Sequence, residues 1–394
     1  MNETLQEEIL AGIDLTADLD ESEIMESIDR EILRLSKQRP ISISEREKLR
    51  KNVFHSIRQL GILQDLIENP EITEIMVNGT DGIFIEKKGF LKQLDENFDS
   101  KEKLKQVIYK ITSDCNRVVN EASPIVDARL PDGARVNVVL DPVALNGPIL
   151  TIRRFPTKAI TMEDLIGMGS ISRECSEFLK TVVEAGFNIL VSGGTGSGKT
   201  TFLNVLSAFI PERERVITIE DSAELQIQQI PNLVRLETRN ANVEGCKEIT
   251  IRELIKSSLR MRPDRIIVGE VRSKEAIDML QSINVGHSAM TTVHANSVRD
   301  VVSRLETMVL MGMEMPIRAI RGQIASGFDL FVHLGRWKDG TRKVLEIAEP
   351  YGIEDGEVLM NTIYRFETPK ENHMVRGSGE LLRIGELKNV SKLR

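Results

Sequence analysis

The sequence predicts an α/β fold: a mostly parallel sheet covered by helices on both faces, preceded by a small α+β domain and an N-terminal helical segment. Three observations carry this. From Phe187 onward, apolar β-type runs alternate with helical patterns at short spacing, as parallel strands joined by helical crossovers require. Between residues 74 and 155, short strands flank glycine-containing turns and share one helical run. Before residue 60 glycine is rare, and apolar residues recur at helical spacing.

Taken in order, residues 1–60 place Ile24, Met25, Ile28, Ile32 and Leu33 on one helical stripe. They read as two or three amphipathic helices, either a solvated appendage or a partner-docking element. A domain expected over 61–155 opens with strands at 74–77 and 83–86 around the hairpin signal Asn78-Gly79-Thr80-Asp81-Gly82. A helix over 101–119 follows. Strands at 125–130 and 135–140 then flank Pro131-Asp132-Gly133, and a strand at 149–155 completes the domain. Residues 156–186 read as a linker ending in a helix over 172–185.

The larger domain is expected over 187–366. Its strands are predicted at 188–192, 216–220, 233–236, 265–269 and 289–294, and its helices at 199–209, 250–261, 274–283 and 298–310. A hairpin of 328–334 with 342–347 around Lys338-Asp339-Gly340 extends it. Residues 367–394 are polar and weakly patterned and are expected as an extended tail.

Composition is that of an ordinary globular protein of 394 residues, 41% hydrophobic and 28% charged. A formal net charge of -8 argues against a protein that coats nucleic acid. No apolar run reaches bilayer-spanning length, and MNETLQEEIL reads as neither signal peptide nor anchor, so any membrane role is expected to be peripheral. Cys115, Cys175 and Cys246 share no C-x-x-C spacing, which points to a reducing, cytoplasmic setting rather than a zinc site or disulfide framework.

The most specific stretch is NILVSGGTGSGKTTFLNVL at 188–206. Gly193, Gly194, Thr195, Gly196, Ser197, Gly198, Lys199 and Thr200 satisfy the phosphate-loop pattern G-x-x-x-x-G-K-[ST] between an apolar strand and a helix that continues through Thr201. Glycines let successive N–H groups converge on a phosphate, and the helix adds its unpaired N–H groups and positive dipole end. Lys199 is expected on the β- and γ-phosphates and the Thr200 hydroxyl on Mg²⁺. The pattern implies binding of a nucleoside triphosphate. No N-K-x-D guanine-reading motif follows it, so ATP is expected over GTP.

Three further blocks follow. The strand Ile266-Ile267-Val268 ends in Gly269-Glu270, placing a carboxylate beside the phosphates to orient or deprotonate an attacking water. Assistance of this kind is worth about 10²–10⁴ in rate. The strand lacks the usual aspartate before its end, so Glu270 is also expected to support Mg²⁺ indirectly. Glu220-Asp221-Ser222-Ala223-Glu224 ends the strand after the loop helix and either faces the same crevice or caps a helix. His287 and His294 bracket a strand and point to opposite faces if it runs straight, which argues against a shared zinc. His294 suits a neutral imidazole bonded to a phosphate or neighbouring carboxylate, or a satisfied structural histidine.

These four blocks, VITIEDSAEL, RIIVGEVRS and GHSAMTTVHANS after the phosphate loop, resemble the type II/type IV secretion ATPases. Within them PIVDARLPDGARVNVVL, GPILTIRRF, IRELIKSSLRMRPDRIIVGEVR and IASGFDLFVHLGRWKDGTRKVLEI are most similar to the tight-adherence (Flp) pilus ATPases of the CpaF/TadA type. The likeness spans about residues 60–350. It implies a RecA-like P-loop NTPase domain, a homo-hexameric ring, and ATP with Mg²⁺ bound between the two domains. Hydrolysis would drive pilin insertion, from the cytoplasmic face, through a polytopic inner-membrane platform protein. Carried onto this chain, Lys199 and Thr200 hold nucleotide and Mg²⁺, Glu270 is the catalytic carboxylate, Glu220 belongs to an acidic box, and His287 and His294 form a histidine box. Arg135, Arg153 and Arg154 stand where relatives supply arginines to the phosphates. The tetracysteine zinc insert of several pilus-extension relatives is missing, which favours the tight-adherence or type IV secretion branch. A nucleotide-gated scaffold and a type IV traffic ATPase moving protein or DNA remain as alternatives, although scarce aromatics weaken a nucleic-acid track.

Overall fold

A computed structural model describes residues 9, 12, 21–37, 41–58, 60, 62–87, 90–154, 160–239, 247–337, 340–367 and 379–393. The chain divides into two compact units, residues 1–158 and 159–394.

In the first unit, helices α1 (Glu21–Ser36) and α2 (Ile43–Arg58) pair over their own small core, Ile28, Ile32 and Leu35 against Leu49 and Val53. Helix α3 (Ile62–Glu68) leads into strands β1 (Ile72–Asn78), β2 (Ile83–Lys87) and β3 (Phe90–Gln93). Helix α4 (Lys101–Asp114) and strands β4 (Ile125–Arg129), β5 (Arg135–Val139) and β6 (Ile149–Arg153) complete a six-stranded antiparallel sheet, in the order β3-β2-β1-β6-β5-β4. One sheet face buries Ile75, Val136, Val138, Leu150 and Ile152 with Leu104, Ile108 and Ile111 of α4, whose spacing forms one helical stripe.

Two sequence expectations change here. The helix expected over 101–119 stops at Asp114, because Asn116 adopts φ +54° and Arg117 N–H turns back to the Thr112 carbonyl at 2.8 Å. Strand β3 carried no usable signal, since its four residues are exposed at the sheet edge and lack a buried alternation.

In the second unit, α5 (Met162–Gly167) opens with a capping box of Thr161 and Asp164. There follow α6 (Arg173–Glu184), β7 (Ile189–Gly193), α7 (Lys199–Ser207), β8 (Val216–Glu220), β9 (Leu233–Glu237), α8 (Ile251–Ser258), β10 (Arg265–Val268), α9 (Ala276–Asn284), β11 (Ser288–Val293), α10 (Val298–Gly312), α11 (Ile317–Gly327), β12 (Leu330–Arg336), β13 (Arg342–Glu354), β14 (Glu357–Glu367) and β15 (Glu380–Arg383). The nine strands lie in the order β15-β14-β13-β12-β7-β11-β10-β8-β9. The run from β12 to β9 is parallel, and β13, β14 and β15 add an antiparallel wing. Helices α6 and α7 cover one face with Leu179, Val183, Phe202 and Leu206, whereas α8 to α11 cover the other with Ile255, Leu280, Val301 and Ile324. The expected α/β architecture is therefore present, with β7, β10 and nearly all of β11 buried, as strands covered on both faces should be.

The segment expected as a polar tail departs from that expectation. Residues 380–383 pair with β14 and bury Leu381. The fully buried Glu349 accepts the N–H groups of Lys388 and Asn389, at 2.8 and 2.6 Å, and the Asn361 amide at 3.1 Å. Among the described residues, no helix is long and apolar enough to cross a membrane.

Candidate functional site

Strand β7 lies between β12 and β11, so its carboxyl end opens onto the edge of the parallel sheet, where ligands of such sheets bind. Gly193 leaves the strand at φ +154°, and Gly196 and Gly198 follow at +72° and +93°. A Cβ on Gly193 would stand 2.5 Å from the Leu334 carbonyl and 2.6 Å from the Ser197 hydroxyl, so the pattern's first glycine is forced by close packing. Side chains at Gly194 or Gly196 would meet no atom within 4 Å. The loop carbonyls are occupied. Gly194 O accepts from Ser197 Oγ at 2.9 Å and Lys199 Nζ at 3.1 Å, and Gly196 O accepts from Arg342 Nε at 2.9 Å. Helix α7 starts here with no side-chain cap on its N–H groups, which suits an anion.

Lys199 is buried, and its ammonium lies 3.3 Å from both ring nitrogens of His294. Burial pulls its pKa down, against the opposing pull of Glu270. His294 follows the last residue of β11, and its Nε2 is 3.0 Å from Glu270 Oε1 but off the line of a hydrogen bond. Burial, then the Lys199 charge, holds this imidazole below the ordinary histidine value, so it is neutral at pH 7. Glu270 Oε2 accepts from Arg272 Nη2 at 2.7 Å, and Arg272 Nη1 stands 3.6 Å from Asp221. Lys199, His294, Glu270, Arg272 and Asp221 thus form one line of groups along the carboxyl edge of the sheet.

Glu220 is buried next to the Gly269–Glu270 turn, where a Cβ on Gly269 would stand 3.0 Å from Glu220 Cγ. Its Oε1 accepts the N–H groups of Glu224 and Leu225 at 2.8 and 2.9 Å. Its Oε2 is buried without a hydrogen-bond partner among the described residues. Burial raises this carboxyl's pKa, against the two amides that lower it. Glu220 therefore braces its own loop with one oxygen and leaves the other for a ligand shell. An oxygen donor of this kind suits Mg²⁺ better than a softer metal.

Not every candidate from the sequence joins this site. His287 precedes β11, with Nδ1 3.3 Å from the Ser282 carbonyl, so the length of the strand separates it from His294, about 20 Å at the usual rise. Arg135, Arg153 and Arg154 belong to the first unit. Arg153 stands directly opposite Arg135, which stands opposite Arg129, with Glu74 on the other side of Arg153; the four share one sheet face. Arg154 instead donates to the Asn69 and Ile72 carbonyls and ties α3 to β1.

Sequence reasoning missed Arg272 and Arg342. Arg272 sits two residues after Glu270 and was legible as its counter-charge, but Arg342 lies 146 residues from Gly196 and only the sheet order brings it there. Also missed was a cavity of about 370 Å³ beside Gly198 and Thr201, walled by Leu165, Met168, Phe202 and Leu334. Its apolar lining is suited to a planar ring.

A phosphate cradle at the carboxyl edge of a mostly parallel sheet, with a carboxylate just beyond the end of a nearby strand, defines a RecA-like P-loop NTPase. Residues 57–338 match the family described as Type II/IV secretion system protein, and the chain belongs to that family. It is an ATPase. Type IV secretion system protein PtlH of Bordetella pertussis is 31% identical over 315 residues, 73% of this chain and 93% of its own. A Mycobacterium tuberculosis protein, provisionally named for conjugal transfer, is 34% identical over 295 residues, 73% of this chain and 83% of its own. The solved structure of the pilus retraction motor PilT with bound ADP covers 77% of this chain and 81% of its own, at 18% identity and a TM-score of 0.53, a likeness of fold alone.

Proposed function

We propose that this ATPase works as a homo-hexameric motor powering assembly of a tight-adherence (Flp) pilus or a related secretion apparatus. The observation that carries the catalytic part is the Lys199–His294–Glu270 line, in which a phosphate-binding lysine and a water-directing carboxylate share one imidazole. ATP would lay its phosphates on the N–H groups of Gly194 to Thr201 and its base in the apolar cavity. Lys199 would exchange the Gly194 carbonyl and His294 for phosphate oxygens. Mg²⁺, held through Thr200 with Glu220 and Glu270 behind it, would neutralise charge on those oxygens. Glu270, freed from part of its pairing, would accept the proton of the attacking water.

Arg135 and Arg153 are proposed as the positive charges brought to the phosphates, a contribution of roughly 10³–10⁵ where it occurs. Their support is their register, which puts the two directly opposite each other on one sheet face, at the places where the resembling ATPases supply arginines to the phosphates. The carbonyl bonds of Arg154 favour a structural role, and the position of His287 leaves it outside this chain's own crevice. The partners proposed are other copies of the chain and a polytopic inner-membrane platform protein, with the ring peripheral on the cytoplasmic face. The relatives named for type IV secretion and conjugal transfer favour a second reading, a type IV secretion or conjugal traffic ATPase.

The test is turnover of purified protein with Mg²⁺-ATP, with Lys199→Ala and Glu270→Gln as variants, beside surface pilus counts in a deletion strain complemented with each. Loss of both turnover and pili in Glu270→Gln supports the motor. Pili at the wild-type level with Glu270→Gln would point to a nucleotide-gated scaffold, and turnover stimulated by DNA would point to the traffic ATPase.

A further inference from the structure

Glu270 projects from a turn, not from the strand that leads to it, so a group outside β10 must fix its position. Strand β10 ends at Val268, which pairs with Thr291 of β11, and beyond it the Gly269 N–H still donates to the Ile219 carbonyl of β8 at 2.9 Å. Thr292 holds both peptides that flank Glu270. Its hydroxyl donates to the Gly269 carbonyl at 2.8 Å, and its own carbonyl accepts the Val271 N–H at 2.9 Å. The residue is fully buried in a strand paired on both sides, by β10 and β7, so its backbone has little room to shift. Two residues on, the same strand delivers His294 to within 3.0 Å of Glu270.

Packing alone does not call for threonine here. Valine has the same shape and suits a buried strand, whereas a hydroxyl costs free energy on burial unless it is bonded. The bond to Gly269 O meets that cost. At the other end of the turn, the buried Glu275 accepts the N–H groups of Arg272 and Ser273 on Oε1, at 2.6 and 2.8 Å. That clamp fixes Arg272, whose guanidinium holds Glu270 Oε2. Of these groups, Thr292 alone grips both peptides beside Glu270 and lies on the strand that ends at His294.

We infer that Thr292 is a positioning residue for ATP hydrolysis: by pinning Gly269 and Val271, it sets the spacing between Glu270 and His294 and aims the carboxylate at the attacking water. The inference rests on the reading of Glu270 as the water-directing group.

The experiment compares Thr292→Val, Thr292→Ser and Thr292→Cys in the full chain, with Glu270→Gln and the Thr292→Val/Glu270→Gln double variant. The measurements are kcat and KM for Mg²⁺-ATP, the dissociation constant for ADP, and the melting temperature. Thr292→Val is expected to lower kcat roughly 10- to 100-fold, the scale of a misplacement near 1 Å, with KM and ADP affinity near wild type and a melting temperature only a few degrees lower, because the buried Gly269 carbonyl loses its donor. Thr292→Ser keeps the hydroxyl and is expected within about threefold of wild type, while Thr292→Cys, a weak donor of similar size to serine, follows valine. Added to Glu270→Gln, Thr292→Val is expected to cost nothing further. Wild-type kcat in Thr292→Val, an equal loss in Thr292→Ser, or a kcat loss matched by lost ADP affinity would each overturn the positioning role. If Glu270→Gln turns over like wild type, the reading of Glu270 falls and takes this role with it. An inactive Glu270→Gln beside a fully active Thr292→Val sinks only the role of Thr292.

Discussion

Replacing Gly193 by alanine separates the glycine that the fold requires from one that it does not. At φ +154° a side chain enters a region held almost only by glycine, at a cost of about 1–3 kcal/mol. The added Cβ would also stand 2.5 Å from the Leu334 carbonyl and 2.6 Å from Ser197 Oγ. The hydroxyl can rotate away. The carbonyl cannot, because Leu334 is registered opposite Gly193 in the β12–β7 ladder, so the strands must part, at about 1–3 kcal/mol for overpacking. Gly193→Ala is therefore expected to lose about 2–6 kcal/mol of stability, a large share of the 5–15 kcal/mol typical of a fold. Gly194→Ala, with no positive φ and no atom within 4 Å of its Cβ, is expected to lose less than about 1 kcal/mol. Urea melts of both variants beside wild type, with ADP titrated calorimetrically, measure the contrast. ADP affinity should fall with stability in Gly193→Ala, because the loop's first N–H groups move with it. A Gly193→Ala melt that overlays wild type would refute the close-packing argument.

Burial raises the Glu220 carboxyl's pKa, so its ionised form costs stability as the pH rises past the ordinary carboxylate range. Glu220→Gln should then match or exceed the wild-type melting temperature at pH 8 while its ATP turnover falls. A clear drop in melting temperature with unchanged turnover would contradict this. Burial holds His333 below the ordinary value of 6.5, opposed by Glu346 and Asp300, while its Nδ1 lies 3.0 Å from Ser192 Oγ at the foot of the phosphate loop. The stability it contributes is present above that value and lost as the pH falls below it, so melting temperatures between pH 7.5 and 5 should decline less in His333→Gln than in wild type. Glu349→Ala leaves the Lys388 and Asn389 N–H groups without their acceptor, and because both residues are exposed and water can reach the donors the loss is about 0.5–1.5 kcal/mol each. Trypsin should then cleave after Lys388 in the folded variant and not in wild type, as read by intact mass.

The sheet and its phosphate loop were legible because their signals are local. Residues 188–206 carry strand, turn chemistry and helix in one stretch, and β8 shows its apolar run and α10 its helical period without reference to neighbours. The glutamate strand was legible for the same reason, and its carboxylate does stand beside Lys199 and His294. What escaped depends on distant pairing. Leu381 is the single buried residue of a strand that forms only because β14 presents an edge, and β3 is fixed by β2 and not by a pattern of its own. The roles of Thr292 and Arg342 lie in bonds to Gly269 and Gly196, which no spacing along the chain announces. Arg154 shows the reverse limit: its place in the sequence suggested a phosphate ligand, while its guanidinium is already committed to two carbonyls.

The bond from Arg342 to Gly196 bears on where this protein can be cut. The family match ends at residue 338, and a chain trimmed to that boundary would retain every letter of the phosphate-loop pattern. It would lose β13, and with it the donor that turns the Gly196 carbonyl outward and one wall of the neighbouring cavity. The cradle is therefore not a portable cassette. Grafted or truncated at the motif's own limits, it would carry the letters of a nucleotide site without the strand that keeps the loop's amides facing in.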